Sequence, residues 1–173
     1  MTGLVPLATI APDRVEDLLD RAFGPNRHRR TAYQVRRGTT TISQLSFAAI
    51  SDAGQLLGTI QCWPVVLCRD DGGDVPMIMV GPVAVDPELQ RAGLGRALMQ
   101  HMLDAAPTSG VPGSGALMLI GDPEYYTRFF GFSAERTAGW RLPGPYEQRR
   151  LLARGSAVPD SAGIIAPCSR QAA

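Results

Sequence analysis

Apolar residues recur at helical spacing in three stretches of the chain. From Pro12 to Phe23, Val15, Leu18, Leu19, Ala22 and Phe23 share one face, and Asp13, Glu16, Asp17 and Asp20 occupy the rest, which predicts an amphipathic helix that Gly24-Pro25-Asn26 breaks. Leu94, Leu98, Met102 and Ala105 predict a second helix over 94–106, with Arg96, Gln100 and Asp104 as its polar stripe and Pro107 and Gly110 beyond its end. A third begins at Asp122-Pro123 and stops at Gly131, with Asp122 as expected N-cap and Pro123 at the first helical position. Between these lie apolar runs that read as strands: Leu45 to Ile50, Gln55 to Leu67, Pro76 to Val85 and Ala116 to Ile120. The first three form a meander, and the fourth, following a helix, is expected parallel to the Pro76–Val85 run through a right-handed crossover. Ser133 to Leu142 and Gln148 to Arg154 are candidate closing strands. One domain is expected over 1–157, with 158–173, poor in pattern, as a loose tail.

The segment from Val83 to Leu98 carries the chemistry. A helix N-terminus has free N–H groups and a partial positive charge, so an acid or hydroxyl usually stands there. From Arg91 to Ala97 there is neither; Arg91 and Arg96 add positive charge, and Gly93 and Gly95 bare the backbone. An external anion satisfies both features, and phosphate is the best candidate. An ordinary glycine-rich turn is the competing reading. The P-loop is excluded because the segment has no Lys, and the dinucleotide fingerprint because Leu98 stands where its third glycine belongs. Upstream, Gly81-Pro82 interrupts the strand, which predicts a bulge or an edge.

Gln90-Arg91-Ala92-Gly93-Leu94-Gly95 resembles the acyl-CoA-binding motif Gln/Arg-x-x-Gly-x-Gly/Ala of the GNAT superfamily of N-acetyltransferases. Downstream, Gly121-Asp122-Pro123-Glu124-Tyr125-Tyr126 with Arg128-Phe129 and Gly131-Phe132 resembles that superfamily's last strand–helix motif, in a branch with a Gly-Asp-Pro-x-Tyr-Tyr signature. The clear resemblance covers about Val75 to Leu142. It implies an α/β (α+β) fold with a mixed, mostly antiparallel central sheet, one splayed parallel strand pair and helices on both faces. It implies acetyl-CoA as acyl-donor co-substrate and a primary amine as acceptor. The main chain of Val83 and Val85 would bond the pantetheine arm, and an N–H near Val83 would hold the oxyanion. The amides from Arg91 to Arg96, in a loop that Gln90 begins and that includes Ala92, Gly93, Leu94 and Gly95, would hold the pyrophosphate. Tyr126 would protonate the departing thiolate, with Tyr125 as second choice. The chain departs from the family's spacing here. Counted from Gly121, Tyr126 falls in place; counted back from Gly131, the position holds Thr127, because Phe129-Phe130 is one residue longer than the pattern.

Composition narrows the surroundings. The chain has 173 residues, 45% hydrophobic and 19% charged, with a formal net charge of +1, so no global field draws in nucleic acid or a membrane surface. No apolar stretch is long enough to span a bilayer, and no secretory signal is visible. Cys62, Cys68 and Cys168 have no metal-ligand spacing, so no metal is expected, and reduced thiols in the cytoplasm are the simplest reading. All 17 basic side chains are Arg, which excludes lysine Schiff-base or lysine-base chemistry. Arg27 to Arg37 is the one basic cluster, read either as a solvated loop or as an electropositive lip beside an anionic ligand. No base is evident on the central strand; Glu124, His28 and a water chain are the candidates, and none is assigned. Two other functions compete with an N-acetyltransferase: an acyl-CoA-binding module without turnover, and a nucleic-acid binder using the Arg27–Arg37 cluster, which leaves the glycine turn unexplained.

Overall fold

In the computed structural model the described residues are 2–168, and the side chains of Gln90, Arg91 and Ala92 lie outside them. The elements follow the hydrophobic pattern closely in the middle of the chain. Strand β1 is Thr2–Pro6, helix α1 Pro12–Phe23, and the short α2 Thr31–Val35. Strands β2 (Phe47–Ser51), β3 (Leu56–Arg69) and β4 (Asp74–Val85) follow, then α3 (Leu94–Ala105), β5 (Leu117–Ile120) and α4 (Pro123–Phe130). The last strands are β6 (Trp140–Arg141), β7 (Leu151–Arg154) and β8 (Gly163–Pro167).

All eight strands belong to one mixed sheet, ordered β1-β2-β3-β4-β5-β7, with β8 bonded to β3 and to β6. Most neighbours are antiparallel. On the main path β4 runs parallel to β5, and the two-residue β6 is also parallel to β8. The register of β4 on β5 covers Ile78↔Leu117 and Met79↔Met118, whereas β4 continues to Val85. Within β4 the hydrogen bonds change phase. The N–H of Ile78 donates to Ala116 on β5, yet the N–H of Asp86, an even number of residues later, donates to Leu57 on β3. A strand alternates its N–H groups between its two edges, so one residue has slipped between these points. Gly81, with φ of +126° before a cis Pro82, is the irregular residue there. The bulge expected from Gly81-Pro82 is present.

The chain divides into two compact units, residues 1–29, 41–62 and 81–109 in the first, and 30–40, 63–80 and 110–173 in the second. In the first, Val15, Leu18 and Leu19 of α1 pack with Ala48 of β2 and Ala84 of β4. Val83 and Val85 point to the opposite face, against the start of α3, where a Cβ on Gly95 would lie 3.7 and 3.6 Å from their methyls. Gly58 on β3 completes that face; a Cβ there would sit 2.9 Å from the Ala84 carbonyl and 3.1 Å from Leu98 of α3, so a glycine lets the helix lie close. The second unit is built on Met77, Met79, Met118, Trp140, Leu151 and Ile165, all buried.

Three stretches differ from expectation. Strand β1 was not assigned from its pattern; it is short and pairs along β2 from Thr2↔Ser51 to Pro6↔Phe47. Ser133–Leu142 is not a continuous strand but a bridge, Ser133↔Ala153, and the two residues of β6. The cause is local: Thr137 turns its hydroxyl to the Leu151 carbonyl (2.7 Å), and its own carbonyl accepts from the Trp140 N–H (3.0 Å), replacing ladder bonds. Gly163–Pro167, within the stretch read as a loose tail, is a strand paired with β3 from Arg69↔Gly163 to Val65↔Pro167. Only Ile165 and Gly163 of it are buried, and a Cβ on Gly163 would stand 2.4 Å from the Cys68 carbonyl oxygen. The remainder of that stretch, 169–173, lies outside the described residues.

Candidate cofactor and catalytic site

Helix α3 starts from Gly93, whose φ of +74° is the left-handed conformation that favours glycine. Its N-terminus carries no side-chain cap and no acid in the first turn. Among the described residues nothing stands within 4 Å of where a Gly93 Cβ would be, and Gly93 and Arg96 are exposed, so this end of the helix lies at the surface. Leu94 is buried under the helix and Gly95 rests on Val83 and Val85. The backbone of Gln90, Arg91 and Ala92 forms the 3-10 helical turn Pro87–Ala92 that leads into Gly93; their side chains lie outside the described residues.

The Asp86 carboxylate at the end of β4 is already engaged. Asp86 caps the 3-10 turn, its Oδ1 accepting from the Glu88 N–H at 3.0 Å, and its Oδ2 accepts from Arg21 Nη1 at 3.0 Å. These contacts, the Glu88 N–H first and the Arg21 guanidinium with it, hold the Asp86 carboxyl below its ordinary range. The Asp86 N–H bond to Leu57 also orients the end of β4: Ala84 and Asp86 turn their N–H groups to β3, and those of Val83 and Val85 point to the other edge.

In the second unit, α4 is closed at both ends by its own chain. Asp122 occupies the N-cap position, but its side chain accepts no capping bond. Glu124 does that work: its carboxylate accepts from its own N–H and pairs with Arg149, which together with Arg150 lowers its proton affinity. A base so stabilised in its ionised form is a weak one. At the other end Gly131 is left-handed (φ +71°), its N–H donates to Thr127 (3.2 Å), that of Phe132 donates to Tyr126 (3.3 Å), and Arg154 Nη1 donates to Phe130 (2.9 Å). Phe129 and Phe130 both lie within the helix, so the extra residue of the motif is helical, not part of the turn.

Tyr126 is half-buried. Its ring lies over Gly121, where a Cβ would be 2.5 Å from Cε2, which explains why glycine opens the motif. Its hydroxyl makes no hydrogen bond among the described residues. Burial first, then Tyr125 and Asp122, push its phenol above the ordinary value, while the Arg150 guanidinium pulls it down. At neutral pH it is a protonated donor. Tyr125 packs edge-on to Tyr126 at 5.0 Å and against Phe129 at 5.3 Å.

Two of the five arginines in the basic cluster are structural, and Arg29, Arg30 and Arg37 are exposed. Arg27 is buried and paired with Glu16 and, at 2.9 Å, with Asp20 of α1. The Arg36 guanidinium is buried between the rings of Tyr33 (3.9 Å) and Trp63 (4.1 Å). His28 is exposed on the 3-10 turn Arg27–Arg29. Cys62, Cys68 and Cys168 are not joined in disulfides. Among the described residues no group of three His, Cys, Asp or Glu is placed to hold a metal ion, and no helix is long and apolar enough to cross a membrane.

Residues 9–133 match the model of the acetyltransferase (GNAT) domain. The chain belongs to the GNAT acetyltransferase family. It is 30% identical over 132 residues to the uncharacterized N-acetyltransferase YhbS of Escherichia coli K12, covering 75% of this chain and 74% of that one. Its fold is that of solved GNAT structures. The E. coli YhbS structure in complex with CoA aligns with TM-score 0.70 at 23% identity, over 97% of this chain and 89% of its own. A GNAT family acetyltransferase from Brucella melitensis in complex with acetyl-CoA aligns with TM-score 0.65 at 24% identity, over 98% and 97%. The matched GNAT domain contains α1, β4, α3 and α4 and ends at Ser133, before β7. Gly58, the Asp86–Arg21 pair and Arg150 escaped the sequence reading. A glycine in a strand signals close approach, but the other two were invisible without their neighbours in space.

Proposed function

We propose that this GNAT chain is an N-acetyltransferase that moves an acetyl group from acetyl-CoA to a primary amine by direct attack. The observation that carries the reading is the bare start of α3, glycine-capped, free of acid and opening outward beside the Val83–Val85 end of β4. In this reading the amides from Arg91 to Arg96, in the loop that Gln90 begins, hold the pyrophosphate, main-chain donors supplying what side-chain charge does not. Val83 and Val85 bond the pantetheine arm, and the Val83 N–H, directed away from β3, holds the oxyanion. A donor of that kind contributes about 2.7–4 kcal/mol to the barrier. The likeness to family structures bound to CoA and acetyl-CoA supports the cofactor.

The amine attacks as its free base. An aliphatic amine with pKa near 10.4 costs about 4–5 kcal/mol to deprotonate at pH 7, whereas an α-amino group near 7.7 costs about 1 kcal/mol. With Glu124 held ionised, water is the carrier of that proton. Tyr126, protonated and without a partner of its own, donates to the departing thiolate. Three cysteines outside any disulfide suit a reducing compartment, and we assign the chain to the cytoplasm.

Acetyl-CoA added to CoA-free protein should raise its melting temperature, and an amine panel with detection of released thiol should then reveal turnover. In the active reaction Tyr126→Phe should lower kcat by about 10²–10⁴ with the acetyl-CoA Kd unchanged. Absence of a thermal shift at saturating acetyl-CoA would sink the reading. A shift without acetyl transfer to any amine would point to the acyl-CoA-binding module.

A further inference from the structure

Around Gly121 stand two residues whose side chains make no hydrogen bond or ion pair among the described residues. One is Tyr126, its ring against Gly121. The other is Arg150, directly across the β5–β7 pair: the Gly121 N–H donates to the Arg150 carbonyl at 2.9 Å, and the next residues are in register at Ile120↔Leu151. The Arg150 backbone is fixed from its own side as well, its N–H donating to Glu147 at 2.9 Å. Its Nε is buried without an acceptor, and its guanidinium makes no ion pair among the described residues. The acid in range, Glu124, makes its ion pair with Arg149 and meets Arg150 only at longer distance. A guanidinium always carries its charge, so a cation, within electrostatic range of Glu124 as well, is held beside a tyrosine whose other charged or titratable neighbours are Tyr125 and Asp122.

We propose that Arg150 is a positioning residue for the acid step, holding the Tyr126 oxygen as it passes from phenol to phenolate. The inference rests on the reading of Tyr126 as the acid. As the tetrahedral intermediate collapses, the C–S bond breaks and its electron pair goes to sulfur. The Tyr126 proton moves to sulfur, releasing the free thiol. The phenolate left behind lies beside the Arg150 cation, and the proton lost by the attacking amine returns to it through solvent. Burial and the Asp122 carboxylate resist that phenolate; Arg150 opposes them. The sequence pattern places Arg150 only near the end of a strand, and it lies beyond the stretch that matches the family domain.

The test is a cycle of Arg150→Gln, Arg150→Lys, Tyr126→Phe and the Arg150→Gln/Tyr126→Phe double variant. Arg150→Gln should lower kcat about tenfold, the effect of losing about one pKa unit of charge stabilisation, with the acetyl-CoA Kd and melting temperature unchanged. Tyr126 acts only when protonated, so Arg150→Gln should also move the alkaline limb of kcat to higher pH. Ultraviolet difference titration, which needs no acceptor, should show the phenol absent from Tyr126→Phe moving upward in Arg150→Gln. Arg150→Lys should restore most of both. In the Tyr126→Phe background Arg150→Gln should have no further effect. If Arg150→Gln leaves kcat and the phenol titration unmoved while Tyr126→Phe is slow, this inference is overturned and the acid assignment stands. If Arg150→Gln is equally damaging without the Tyr126 hydroxyl, Arg150 acts elsewhere and the inference is again overturned. If Tyr126→Phe retains full activity, the acid assignment itself falls.

Discussion

The two helices that carry the family motifs begin in opposite ways. Helix α4 starts at Asp122-Pro123-Glu124, and Glu124 answers the helix's positive end with a carboxylate that Arg149 then neutralises. Its far end is closed by Gly131 and by the Arg154 side chain. Helix α3 starts at Gly93 with no side-chain cap and no acid in its first turn, and Asp86, before it, is turned back onto the Glu88 N–H and Arg21. A helix that satisfies its own terminus is a scaffold, and α4 uses that rigidity to fix a tyrosine. A helix without a side-chain cap, on a glycine that leaves the backbone open, is where the proposed function seats a guest of opposite charge.

The largest effect should come from making α3 resemble α4. Gly95→Asp places a carboxylate in the first turn, and the new Cβ meets Val85 and Val83 at 3.6 and 3.7 Å, ordinary contact distances. The unliganded protein should be unchanged or stabilised by about 0.3–1 kcal/mol. Its acetyl-CoA affinity should fall by about 100-fold or more, since like charges brought together cost several kcal/mol. Calorimetric titration and melting curves measure the two halves. Undiminished affinity would mean that the α3 start is not where the phosphates bind.

An intermediate effect is expected on the α4 side. Gly121→Ala would put a methyl 2.5 Å from Tyr126 Cε2 and 3.2 Å from Leu119, so the ring must shift. Overpacking of this kind costs about 1–3 kcal/mol. Turnover should drop while the acetyl-CoA-induced thermal shift persists. Normal kinetics in a destabilised variant would show that the position of the tyrosine ring does not matter to the chemistry.

The smallest effect concerns the acid turned away from α3. Asp86→Ala removes an N-cap and should cost about 1 kcal/mol at neutral pH. The Asp86 pKa is lowered in the folded protein, so its stabilisation is fully present above the unfolded value near 3.9 and is lost as pH falls through the folded one. Denaturant melts of wild type and variant should therefore converge in acid. A constant difference down to the lowest pH would show that charge plays no part in the cap.

Much of this was legible because it is local. The phases of α1 and α3, the breaks after Phe23 and Phe130, the acid-free turn and the irregularity at Gly81-Pro82 are each written within a few consecutive residues. The arginine cluster was less legible. Arg27 and Arg36 look alike in sequence, yet one is buried against carboxylates of α1 and the other between two aromatic rings. Asp122 was expected to cap α4 because its residue type and position suit the role, but Glu124 two residues on reaches its own amide and makes the cap unnecessary.

The chain's own letters therefore determined the helix faces, the central strands and the bare glycine start of α3, because periodicity and backbone permissiveness are properties of short segments. The tertiary structure decided what short segments cannot encode. It recruited Gly163–Pro167 into the sheet, because ladder bonds are made by backbone and need only one or two side chains to fit. It stopped a strand at Ser133 and Trp140, because Thr137 found a carbonyl elsewhere. It set Arg150 across Gly121 from Tyr126, because strand register joins residues far apart in sequence. Whether a charge stays neutralised or is left over to act on a neighbour depends on what surrounds it, and only the folded chain supplies that.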